Sequence, residues 1–142
     1  MLPSVAGRAN SGAPLSSDVM RLMLRRIRSY FAGMKASAAL GRASRLQRDG
    51  KSVEALSVAR TGLAALSKPY VFRNCAAEGA ALVTLTVLVE AIAFEAKVSG
   101  ASRHDLRDSL AFLKFLSESP THSVSDLLAW VPYLEARLAQ MP

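Results

Sequence analysis

The chain has one cysteine, Cys75, and two histidines, His104 and His122. A single thiol excludes an intramolecular disulfide and any CxxC site. The histidines lie 18 residues apart, outside any HExxH pattern and without a second clear ligand. A zinc site takes four ligands, usually three or more from protein, so none is expected. No GxSxG elbow occurs, and spacing assigns no Ser/His/Asp set. Gly50-Lys51-Ser52 ends like a phosphate-binding loop, but Arg45 stands where its first glycine is required. No catalytic residue, metal or cofactor is therefore expected. Long apolar runs are missing too. The longest, Gly79 to Val89, has 11 residues between Glu78 and Glu90. A spanning helix needs about 20, so this run is expected to be a buried core helix.

What is present suits one helical domain. The 142 residues are 51% hydrophobic and 20% charged. A chain of about 150 residues buries roughly 68–70% of its unfolded surface, enough for a core without cross-links. Charge is divided unevenly. Residues 1–73 hold 13 Lys+Arg against three acids, and residues 74–142 hold five against eight, or +10 and −3. The N-terminal half is thus expected to meet something anionic. Residues 1–16 lack the apolar core of a secretory signal, whereas residues 1–48, with nine basic residues and one acid, resemble a mitochondrial transit peptide in composition. A cytoplasmic location is expected, or a mitochondrial one for a eukaryotic source.

Residues 1–15, rich in Gly, Pro and Ser, are expected to be a flexible tail ahead of a domain at 16–142. Ser16 or Ser17 should cap a first helix running to about Gly33. Met20, Met23, Leu24, Ile27, Tyr30, Phe31 and Met34 recur on one face, as a stripe for the core or for a lipid surface. Packing on the core is the stronger expectation. Arg21, Arg25, Arg28 and Lys35 form a second, basic face. Lys35 to Arg48 makes the next helical segment, with Arg42, Arg45 and Arg48 at three-residue steps. After the Asp49-Gly50 turn, Ser52 should cap a helix to Leu66, stopped by Pro69. The aromatic linker 69–73 should pack. Asn74 should cap a central helix over about 75–98, ended by Gly100, although Leu82 to Val89 has strand-like composition. No second strand candidate exists to pair with it, so helix is expected. Glu78 and Glu90 should face solvent or pair with Lys97 or an arginine of the first half. Ser102 with Asp105 should start a helix to Glu118 carrying Leu106, Leu110, Leu113 and Leu116. Ser123 should start a last helix, kinked or split at Pro132.

The stretch Ala39 to Pro69 resembles a tetratricopeptide-type helical hairpin. The likeness lies in Ala43, Leu46 three residues later, the turn at Gly50, Ala55 five beyond it, Gly62, and a proline after the second helix. It departs at Ala39, Arg42 and Ala59, where that family prefers aromatic, leucine and phenylalanine, and shifting it by 34 residues finds no second copy. The resemblance implies two antiparallel helices that stack with further pairs to bind peptides.

The expected fold is all-α, with five or six helices in stacked antiparallel hairpins or an irregular bundle. The expected function is non-catalytic: an interaction domain whose Arg42, Arg45 and Arg48 clamp an acidic protein partner. The alternative is a basic domain that meets nucleic acid or an anionic membrane through Arg21, Arg25 and Arg28.

Overall fold

The computed structural model describes residues 16–118 and 125–142. The expected tail at 1–15, the Ser123 cap and His122 lie outside the described residues. The fold is all-α. Among the described residues the helices are α1 (Ser17–Arg48), α2 (Ser52–Leu66), α3 (Ala76–Ala96), α4 (Arg103–Ser117), the single turn α5 (Ser125–Leu128) and α6 (Val131–Gln140).

The first correction concerns α1. Gly33 does not end it; two expected segments form one 32-residue helix, about 48 Å long. Its start is capped by Ser16, whose Oγ accepts from the Val19 amide at 3.2 Å. Asp18 lies in the first turn and Arg45 and Arg48 in the last, each sign at the helix end that favours it. Gly33 survives mid-helix because the position must be small. A Cβ there would lie 3.2 Å from the Glu78 Cγ and 3.3 Å from its backbone nitrogen, on α3. The chain turns at Gly50, whose φ of +78° is the left-handed region that glycine adopts freely.

The hairpin of α1 and α2 is held by small residues. Ala36, Ala39 and Ala43 on α1 and Ala55, Ala59 and Gly62 on α2 are buried. Gly62 admits Ala39 on one side and Leu85 of α3 on the other; a Cβ would meet them at 3.0 and 2.9 Å. Helix α3 is the central element. Leu82, Val83, Leu85 and Val89 are fully buried, and α3 touches α1, α2 and α4. Residues 82–89 are helical despite their β-branched content, because neighbours on several sides fill the space around them. By length and composition α3 could cross a membrane, but most of it is buried inside the domain. Helix α4 runs antiparallel to α3, with Phe112 against Gly79 and Ser109 Oγ bonded to Thr86 Oγ1 at 3.2 Å. Pro132 splits the last helical segment, standing in the first turn of α6, where its missing N–H costs nothing.

Several helix ends differ from expectation. Lys51, not Ser52, precedes α2, and Cys75, not Asn74, precedes α3; neither side chain caps. Helix α3 stops at Ala96 because Lys97 turns left-handed, with φ of +58°. Gly100 instead leaves room for Glu90, whose carboxylate a Cβ would overlap. Ser102 caps α4 as expected, accepting from the Asp105 amide at 3.1 Å. A left-handed non-glycine residue costs about 1–2 kcal/mol. Lys97→Gly is expected to raise the unfolding free energy by about 1 kcal/mol, seen as a higher urea midpoint at unchanged slope.

Candidate interaction face

Helix α1 has two faces of opposite character. The face turned to α2 and α3 carries Ser29, Ala32, Gly33, Ala36, Ala39 and Ala43, all buried. These fall at three- and four-residue steps, so they share one side of the helix. The large apolar residues lie mainly on the other side. Val19, Met20, Leu22, Met23, Leu24, Ile27, Tyr30, Phe31 and Met34 are each 43–60% exposed. The expected core stripe is thus a solvent-facing stripe. The buried face begins at Ser29; residues 17–28 are exposed on every side, and beyond them no helix among the described residues covers the side opposite the small residues. A contiguous apolar patch of this kind marks a binding surface on a folded protein.

The N-terminal arginines are held by the aromatic linker. Arg25 donates to the carbonyls of Tyr70 (3.1 Å) and Pro69 (3.2 Å) and stacks 4.0 Å above the Phe72 ring. Arg28 stacks 3.9 Å above Tyr70. Arg26 lies 5.5 Å from the Phe72 ring centre, with Nη1 3.8 Å from the Cys75 sulfur. The linker packs, as expected: Val71 is buried, and the Phe72 amide donates to Ser29 Oγ at 2.8 Å. Ser29 in turn donates to the buried Glu78 carboxylate. A guanidinium stacked on a ring keeps its in-plane N–H donors for a carboxylate. Arg21 pairs with Asp18 at 2.9 Å, both highly exposed, so the pair holds little energy.

The other three arginines lie further along α1. Arg42 and Arg45 line a shallow depression with Leu46, Asp49, Glu54, Ser57 and Val58. Arg48, in the last turn, is exposed. None of the three makes an ion pair among the described residues. Arg25 and Arg28 lie against the linker, whereas Arg45 and Arg48 continue the outward side of α1; Arg42 stands at seven-residue steps from Arg21 and Arg28, so the two sets meet along that one edge.

The acids of α3 are corrected. Glu78 and Glu90 are buried, and neither reaches Lys97 or an arginine of the first half. Glu90 takes an N–H from Ala101 (2.7 Å), the Tyr133 hydroxyl (3.3 Å) and Arg137 Nε (2.5 Å). Burial, then the charge of Glu90, holds the Tyr133 phenol above its usual value of 10.0. It therefore stays protonated and donating well into the alkaline range. With three donors satisfied, Glu90 acts as the tie between α3, the 99–101 loop and α6. Near α4, Arg73 makes a similar tie to Asp105 (2.7 Å) and Asp108 (2.8 Å), and the exposed His104 lies 3.5 Å from Asp108. No group of three metal-ligating side chains occurs among the described residues.

No protein-family model matches the chain, and no curated protein or solved structure matches it significantly.

Proposed function

We propose that the protein is a non-catalytic interaction protein that docks a helix of a protein partner along the outward side of α1. The observation that carries this is the row from Val19 to Met34, large, apolar and half exposed on one long helix. A helix laid on such a row buries apolar side chains at three- and four-residue steps, the usual helix-to-helix mode of recognition. The tetratricopeptide-type reading of residues 39–69 belongs to this proposal. It is supported by the burial of Ala43, Ala55 and Gly62 in the α1–α2 contact and by the stacking of α3 on that hairpin.

Ile27→Asp places a charge in the middle of the exposed row. It is expected to leave the melting temperature within about 2 °C of the parent, since exposed substitutions cost under about 0.5 kcal/mol. A photo-crosslinker at Phe31, used in the host cell, should join one protein partner through a helical segment, and Ile27→Asp should remove that adduct. Adducts formed only with lipid, with nucleic acid or with a second copy would overturn the proposal.

A further inference from the structure

Resting on the docking reading above, we infer that the partner helix is acidic along one flank and that Arg21, Arg28, Lys35 and Arg42 recognise it. Met20, Leu24, Ile27, Phe31 and Met34 follow steps of four, three, four and three, the spacing of a coiled-coil seam. Along one edge of that seam stand Arg21, Arg28, Lys35 and Arg42, four cations at seven-residue intervals. All four are exposed, and Lys35 and Arg42 form one wall of a groove of about 260 Å³ whose other wall is Ser57, Val58 and Thr61 of α2. The opposite edge of the seam carries Met23 and Tyr30, both apolar. A row of cations beside a seam selects a partner with carboxylates at the same interval.

That asymmetry decides between occupants. A second copy in antiparallel pairing would set the cation row against itself. In parallel pairing the row would face Met23 and Tyr30 and meet no acid. An anionic bilayer is laterally uniform and draws cations on both edges of an interfacial helix. Here the second edge is apolar, and Arg26 beyond it lies beside Phe72 and Cys75. The cation row also runs past the apolar row to Arg42. A bilayer gives no reason for seven-residue spacing there, and a heptad-spaced acidic helix does.

The test uses the full chain and two synthetic helical peptides with the same Leu/Ile seam, one with Glu and one with Lys at all flanking positions. Binding is read by fluorescence anisotropy, alongside co-sedimentation with vesicles of phosphatidylserine and phosphatidylcholine. The Glu peptide should bind at least about tenfold more tightly than the Lys peptide. The double variant Lys35→Glu/Arg42→Glu should abolish that preference, since Arg21 and Arg28 then stand against two carboxylates in the same row. Both residues are exposed and outside every ion pair among the described residues, so this variant is expected to fold. Equal binding of the two peptides, lost in Ile27→Asp, would overturn the acidic-flank inference and leave helix docking standing. Binding of vesicles with neither peptide bound would overturn both.

Discussion

Arg137→Met is expected to destabilise the fold by about 3–5 kcal/mol, the cost of leaving a buried charge without its partner. The Glu90 side chain is 2% exposed, and Arg137 Nε is its cationic donor at 2.5 Å. The remaining donors, the Ala101 amide and the Tyr133 hydroxyl, are neutral and do not balance a full negative charge. Without Arg137 the carboxyl is buried among neutral donors alone. Urea denaturation of both proteins at neutral pH measures the loss. A deficit below about 1 kcal/mol at neutral pH would show that Glu90 is held by its neutral donors alone. Glu90→Gln/Arg137→Met removes both charges and should recover much of the loss, since neutral replacement of a buried pair costs far less than breaking it. The pair fixes α6 to α3 at the end of the fold remote from the start of α1, so docking on the Val19–Met34 row should survive in any Arg137→Met that remains folded.

The fold class and most helices were legible in the sequence because helical periodicity, turns and caps were locally consistent. Ser16 and Ser102 cap as their positions suggest, and Pro132 splits the last segment where its missing N–H demands. Gly33 misled because glycine is a poor helix former in isolation, and its reason for standing in α1 is Glu78, 45 residues away. Lys97 misled the other way, ending α3 in a conformation that sequence alone assigns to Gly100. The largest misreading was of the α1 stripe. Large apolar residues at helical spacing signal a face that avoids water, without saying whether this chain or another supplies the cover. A signal was present on the far side of the helix. Ser29, Ala32, Gly33, Ala36, Ala39 and Ala43 keep the same spacing, and a row of small residues is what close helix packing requires. When one helix carries both rows, the small one marks the contact inside the fold and the large one the surface left over. The buried partners of Glu78 and Glu90 were not legible. Ser29, Tyr133 and Arg137 are each more than 40 residues from the acid they meet, and only the packed topology brings them there.

Gly79→Ala is the second substitution with a large expected effect. The aromatic ring of Phe112 lies directly over Gly79, and an added Cβ would overlap ring carbons, with Cγ only 2.6 Å away. Both residues are buried, and Phe112 is among the largest fully buried side chains of the domain. The ring cannot swing away freely, because α4 is fixed beside it by Leu106, Leu113 and Leu116, which are all in the core. Overpacking of a tight core costs about 1–3 kcal/mol, and the rigidity of a ring over backbone places this case at the upper end. Phe112→Ala alone should cost about 3–5 kcal/mol, by lost burial and an unfilled cavity. The two losses should not add. With the ring gone, a methyl at position 79 occupies part of the vacated space, so the double variant should be no less stable than Phe112→Ala. A double-mutant cycle from urea midpoints would then give a coupling of about 2–3 kcal/mol between the two positions. Additive losses would mean that the ring does not rest on Gly79, and that α3 and α4 meet elsewhere. Confirmed coupling would mark Gly79 and Phe112 as a close contact of α3 with α4, one residue past Glu78, which meets α1. That contact is made by residues outside the exposed row of α1, so substitutions in the row should alter binding without loosening it.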